Sequence, residues 1–187
     1  MIVGAGTGGP KVEVNGLEFD NVLQGGDKDD VIIGGLGNNL LVGGDGNDYI
    51  QGGTGNDIIY GGKGDNILFG GGGGADLFVW TVDDLDGGYN RIMDFSFSEG
   101  DKLGFADLID VSQGFDDLLT HISISATALD QNRLTLQVEK DGSHIDVDLT
   151  FRNNELQSFI DNHLAEHGNS ADLDQALLNQ IIQNITG

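Results

Sequence analysis

Hydrophobic and polar positions repeat every nine residues through the first half of the chain. From Gly25 the units read GGDKDDVII (Gly25 to Ile33), GGLGNNLLV (Gly34 to Val42), GGDGNDYIQ (Gly43 to Gln51), GGTGNDIIY (Gly52 to Tyr60) and GGKGDNILF (Gly61 to Phe69). A sixth, GGGGADLFV (Gly71 to Val79), fits after one inserted residue, placed at Gly70, which restores Asp76 to the sixth position and Phe78 to the eighth. Upstream, Gly16 to Gln24 keeps Asn21 and Leu23 at those two positions and reads as a degenerate first rung. The eighth position is Ile32, Leu41, Ile50, Ile59, Leu68 and Phe78, always large and apolar. Glycine-rich linkers do not keep such a period. Paired glycines permit positive φ and close backbone approach. The first six residues of each unit therefore turn the chain, and the last three form a very short strand whose middle residue points inward. Two units close one coil of about 18 residues, and coils stack at roughly 4.8 Å. The expected fold is all-β dominated: a right-handed parallel β-roll with two sheets and two columns of turns.

In such a roll the seventh and ninth positions face outward. Of these twelve residues only Gln51 is polar; the rest run from Val31 and Ile33 to Leu77 and Val79. That patch is too large to leave in water. At least one sheet is expected to be covered by the chain from Trp80 onward, the even-unit sheet (Leu40, Val42, Ile58, Tyr60, Leu77, Val79) being the better candidate.

Past the repeats the period changes to two. Ile122 and Ile124 alternate with polar residues, as do Leu134, Leu136 and Val138, then Ile145, Val147, Leu149 and Phe151. Asp141-Gly142 between the last two runs signals a hairpin. The end of the chain has helical spacing: Leu156, Phe159, Ile160 and Leu164 within 154–167, then Leu173, Leu177, Ile181 and Ile185 after a candidate N-cap at Ser170. Four segments result: 1–24, a degenerate N-terminal rung or cap; 25–79, the β-roll; 80–152, a roll-completing segment with a small β-sheet; and 153–187, C-terminal amphipathic helices.

Charge narrows the function. The 187 residues contain 31 Asp and Glu against 8 Lys and Arg, a formal net charge of -23. Phosphate-driven attraction becomes repulsion here, which excludes nucleic acid and anionic membrane surfaces as partners. The absence of Cys excludes disulfides and thiolate metal sites. No run of eighteen apolar residues offers membrane insertion, and Met1 to Pro10 lacks the basic start and apolar core of a Sec-type leader. No Ser/His/Asp, metalloprotease or phosphate-loop pattern occurs, so the chain reads as non-catalytic. His163 and His167 have the spacing of a zinc pair but no third ligand. Trp80 reads as core.

The sixth position carries the chemistry. It is Asp30, Asn39, Asp48, Asp57, Asn66 and Asp76, and stacking aligns units two apart. Asp30, Asp48 and Asn66 form one column; Asn21, Asn39, Asp57 and Asp76 form the other. Carboxylates stacked so closely repel unless a cation lies between them. Calcium suits the site, because it takes six to eight oxygens from carboxylates and backbone carbonyls. The turn residues Gly26, Gly35, Gly44, Gly53 and Gly62, with Asp27, Asp45 and Thr54 in the third position, complete the candidate ligand set. The strongest sites are expected between Asp30 and Asp48 and between Asp57 and Asp76. Mixed pairs at Asn39/Asp57 and Asp48/Asn66 follow, and Asn21/Asn39 is the poorest.

These units resemble the GGxGxDxUx nonapeptides of RTX calcium-binding proteins, with Lys28 in place of the usual Gly and Asn39 and Asn66 in place of Asp. The stretch Asp76 to Asp110 is similar to the segment after the last unit in serralysin-type proteases and large RTX adhesins. There a GADxF unit leads into an I-x-DF…GDKL pattern, matched here by Ile92, Asp94, Phe95, Gly100, Asp101, Lys102 and Leu103. The resemblance implies another ion near Asp94 and Asp101, and about four to six calcium ions in all. No Lys or Arg follows Arg152, and this acidic, amphipathic end resembles a type I secretion signal. The resemblance implies a bacterial, secreted or cell-surface adhesin whose upstream passenger domains precede this segment, with the type I secretion machinery as partner of the C-terminal region. The alternatives are a carbohydrate-binding roll or the end of a secreted RTX protease or lipase. A single Thr in the third position excludes an ice-binding Thr ladder.

Overall fold

An apolar residue recurring every nine positions is buried only if alternate strands stack into two facing layers. The computed structural model, described for residues 2–4, 13–15, 18–106, 120–125, 132–167 and 173–183, has this arrangement. One parallel sheet holds β1 (Ile2–Gly4), β3 (Val22–Gln24), β5 (Leu40–Asp45), β7 (Ile58–Lys63) and β9 (Leu77–Trp80). The other holds β2 (Glu13–Asn15), β4 (Val31–Leu36), β6 (Tyr49–Thr54) and β8 (Ile67–Gly71). Partners lie one coil apart, with Val31 opposite Tyr49 and Leu40 opposite Ile58. Leu23 and the six eighth-position residues from Ile32 to Phe78 are all fully buried between the sheets.

The strands are longer than the three residues expected. β4, β5, β6 and β7 each run six residues, from the seventh position through the next unit's glycine pair to its third position. The glycine pair stays in the ladder, with Gly35 opposite Gly53 and Gly44 opposite Gly62. First-position glycines face the interior, where a Cβ on Gly43 would lie 2.4 Å from the Gly61 carbonyl oxygen. Any larger residue would push the coils apart. The inserted residue of the sixth unit is also relocated. Gly71 pairs with Gly53, which is a second-position residue, so Gly70 and Gly71 are the glycine pair. The extra residue is accommodated at Gly72 and Gly73, beside which a side chain would meet nothing. A bulge costs least at the outside of a turn.

The C-terminal half continues the sheets end-on instead of lying over a face. In the second sheet β10 (Tyr89–Phe95) pairs with β8 and then with β14 (Ser143–Phe151). β13 (Arg133–Lys140) and β12 (Ile122–Ser125) follow antiparallel. The hairpin between β13 and β14 turns at Asp141 and Gly142, both at positive φ. In the first sheet β11 (Lys102–Phe105) pairs with β9 and with β15 (Ile182–Gln183). The expected cover over the even-unit sheet reaches only its last rung among the described residues: Val79 is buried, whereas Val22 is 41% and Ile58 40% exposed. Completing open backbone edges took precedence over shielding a half-exposed apolar face, because an unpaired strand edge leaves a whole row of polar groups to satisfy.

Helix α1 (Glu155–His167) buries Leu156 and Ile160, and α2 (Leu173–Ile181) buries Leu177, Leu178 and Ile181. The α2 helix stops four residues short of the expected end, because the chain at Ile182 joins the sheet edge. Lys102 Nζ donates to the Gln180 carbonyl in the last turn of α2. The N-cap expected at Ser170 and the position of Ile185 lie outside the described residues. Trp80 is core, stacked on Phe105 at 5.8 Å.

Adjacent residues of β7 test the alternation. Ile59→Ala should lower stability in calcium by about 2–5 kcal/mol, while exposed Ile58→Ala should change it by about 0.5 kcal/mol or less. Urea denaturation of both variants measures the difference, and equal losses would contradict the inward and outward assignment.

Candidate calcium site

The tight turn between strands leaves backbone N–H groups that no strand partner can reach. Side chains of the next coil take them. In one column Asp30 N–H donates to Asp48 Oδ1 at 2.8 Å, and Asp48 N–H to Asn66 Oδ1 at 2.8 Å. In the other, Asn21 N–H donates to Asn39 Oδ1 at 3.0 Å, Asn39 N–H to Asp57 Oδ1 at 2.7 Å, and Asp57 N–H to Asp76 Oδ1 at 2.9 Å. The sixth-position side chains thus form two hydrogen-bonded ladders with the membership expected from the spacing.

Each ladder runs one rung further than the repeats. Asp76 N–H donates to Asp101 Oδ1 at 3.0 Å, and Ser96 N–H to Asp101 Oδ2 at 2.8 Å. Asp101, a candidate on the GDKL pattern, therefore caps the second column. Asn66 Nδ2 donates to Asn90 Oδ1 at 2.8 Å, which makes Asn90 the last member of the first. Sequence reasoning missed Asn90, since it follows the Gly87-Gly88 pair by only two residues and so falls outside the nine-residue register. A second, exposed ladder at the fifth position was also missed: Asn47 N–H donates to Asp29 Oδ1, Asn56 N–H to Asn38 Oδ1 and Asp65 N–H to Asn47 Oδ1, each at 2.8 Å. Its signal was present as Asp or Asn at the fifth position of the first five units.

The inner ladder buries charge. Asp30, Asp48, Asp57, Asp76 and Asp101 are all buried, and Oδ2 of Asp48 and Oδ2 of Asp57 have no hydrogen-bond partner among the described residues. Each points over the bare α-carbon of a first-position glycine: a Cβ on Gly43 would lie 2.2 Å from Asp48 Oδ2, and one on Gly52 2.3 Å from Asp57 Oδ2. Buried, undonated carboxylate oxygen is costly without a cation. Among the described residues no three His, Asp or Glu side chains converge, so an ion here draws most of its oxygens from backbone. The asparagine rungs mark where those oxygens lie. Asn66 Nδ2 faces the carbonyls of Gly62 at 3.3 Å and Gly64 at 3.5 Å, and Asn39 Nδ2 donates to the Gly37 carbonyl at 3.1 Å. Turn carbonyls at the second and fourth positions therefore face the sixth side chain. Where that side chain is Asp instead of Asn, both groups are acceptors, which is the donor set of a hard cation.

The remaining candidates divide. Gly35, Gly44, Gly53 and Gly62 have positive φ, and Gly26 N–H donates to Asp30 Oδ2 at 2.7 Å. Asp27, Asp45 and Thr54 are exposed at the third position, away from the inner ladder. Asp94 stands outside both columns and is ion-paired with Arg152 at 2.8 Å. His163 and His167 stack ring on ring at 4.4 Å.

Residues 15–50 and 42–76 match the model of the RTX calcium-binding nonapeptide repeat. This part of the chain is an RTX calcium-binding domain. The fold of the RTX domain and its flank is similar to the R2 subunit of the Azotobacter vinelandii mannuronan C5-epimerase AlgE6, at 23% identity over 76% of this chain and 88% of that one, with a TM-score of 0.50. The R3 subunit of the same enzyme aligns at 26% identity over 75% of each chain, with a TM-score of 0.33. No curated protein matches by sequence.

Without metal, Asp48, Asp57, Asp76 and Asp101 of the RTX columns hold their protons more tightly than free carboxyls do. Burial, reinforced by Asp30, Asp29 and Asp45, raises the Asp48 carboxyl from 3.8 to about 7. Burial raises Asp76 to about 8 and Asp101 to about 6, with further contributions from neighbouring carboxylates. Asp57 is raised by burial as well. The folded apo form thus binds protons more strongly than the unfolded chain. The contribution of these groups to apo stability is fully present below about pH 4 and is lost as pH rises through about 8, by up to about 1.4 kcal/mol per pH unit for each group. Calcium displaces those protons, so its affinity should rise across the same window. Calorimetric titration at pH 5 and pH 8 measures this, and a pH-independent affinity would contradict the linkage.

Proposed function

We propose that the chain is the calcium-folded C-terminal domain of a type I secreted bacterial adhesin, performing no chemistry of its own. The observation that carries this reading is the pair of buried, undonated oxygens on Asp48 and Asp57, a feature of a fold that needs cations to be stable. At the low calcium of the cytoplasm the clustered acids repel and the chain stays unfolded, as a narrow export channel requires. Outside the cell calcium binds and folding follows. About four to six ions occupy the two columns, held by the sixth-position side chains and the facing turn carbonyls. Each site occupied at about 100 times its dissociation constant adds roughly 2.7 kcal/mol, so four sites supply about 11 kcal/mol, comparable with a whole domain's stability.

The C-terminal segment serves twice in this reading. It enters the export machinery as an unfolded, acidic, amphipathic signal, and it later folds as α1, α2 and β15 against the roll. The roll itself presents few cations to an acidic glycan: its repeats contain only Lys28 and Lys63, which disfavours a polyuronate-binding role. Among the described residues no helix is long and apolar enough to cross a membrane.

Far-UV circular dichroism should show a largely disordered chain in chelator at neutral pH, converting to β-structure in millimolar calcium but not in magnesium, whose strict octahedral geometry carbonyl-rich turns do not meet. A folded chain in chelator would refute calcium-driven folding. Separately, a passenger fused to residues 1–187 should be exported by a type I system and the same fusion ending at residue 152 should not. Equal export of both would rule out a C-terminal signal.

A further inference from the structure

The unsatisfied oxygens of Asp48 and Asp57 have no counterpart at the last rung. Asp94 accepts from Gly70 N–H at 2.9 Å and Gly71 N–H at 3.0 Å, and its Oδ2 accepts from Arg152 Nη2 at 2.8 Å. The same guanidinium donates to Glu99 Oε2 and to the Gly71 carbonyl. Lower in the roll, the second-position carbonyl is taken by the backbone of the next coil: Gly26 O accepts from Asp45 N–H at 2.9 Å, and Gly53 O from Gly72 N–H at 2.7 Å. Gly71 is the corresponding residue of the last coil. Strand β10 pairs with β8 only at Arg91 and Ile92 and so supplies no N–H to it. Arg152 takes that place, a part-buried cation between two carboxylates and a backbone carbonyl. Those oxygens are the kind a calcium ion takes, and a planar guanidinium meets several of them at once.

We propose that Arg152 is a resident cation that closes the end of the roll in place of a calcium ion. Its charge is covalently part of the chain, so this end holds a counter-cation at every calcium concentration, whereas the two columns do not. The inference rests on the calcium reading of the columns. It also accounts for Asp94, which matches the family pattern for an ion but stands outside both columns.

The test counts bound calcium by isothermal titration on the full chain. Arg152→Met should bind one ion more than the parent, because Asp94, Glu99 and the Gly71 carbonyl are left without a cation. Arg152→Lys, which keeps a positive charge, should bind the parental number, and so should the double variant Arg152→Met/Asp94→Asn. An Arg152→Met protein with the parental count overturns the proposal. So does one that fails to fold at calcium concentrations that fold the parent, or a double variant that keeps the extra ion. A parent that binds no calcium would instead remove the column reading itself, and this proposal with it.

Discussion

The molecule is organised around carboxylates that are buried next to one another without enough donors. Stacking coils at strand spacing brings sixth-position side chains into register, and the interior denies them water. The backbone N–H of the previous coil satisfies one oxygen of each. For Asp48 and Asp57 the second is satisfied by no group among the described residues. A few kcal/mol of penalty per group is a large fraction of the whole stability of a domain this size, which is the physical basis of the calcium-folded reading proposed above.

The glycine pattern follows from the same constraint. The carboxylate oxygen must lie over an α-carbon with no side chain, and the neighbouring carbonyl must come equally close, as the contacts at Gly43 and Gly52 show. The eighth-position residue fills the remaining interior. Large apolar and absent side chains thus alternate along each inner face, which explains why a chain with 32 glycines still has a dense core.

Most of the roll was legible in the sequence because each feature recurs. The inward Ile, Leu and Phe, the two columns and their order all follow from a nine-residue period and a two-unit coil. Features that occur once were harder to read. Asn90 and Arg152 lie outside the nine-residue register, where no periodicity announces them. The slip in the sixth unit falls at Gly70 on the sequence alone, since the five consecutive glycines from Gly70 to Gly74 carry no side chain to fix the register; the pairing of Gly71 with Gly53 decides it. The covering of the outer face was inferred from apolar area alone. Edge pairing, which depends on where the ends of the sheets fall, drew the C-terminal strands to the ends of the roll instead. The fifth-position ladder was present in every early unit but was overshadowed by its charged neighbour.

The two ladders use the same pair of residue types for different ends. At the fifth position either Asp or Asn accepts one backbone N–H at the same 2.8 Å. At the sixth position Asn brings its own donor to the turn carbonyls, as Asn66 does towards Gly62 and Gly64, while Asp leaves that place to an ion. Asparagine and aspartate codons differ by one base. If calcium folds the roll as proposed, a lineage can raise or lower the calcium concentration at which it folds, rung by rung, without redesigning its shape.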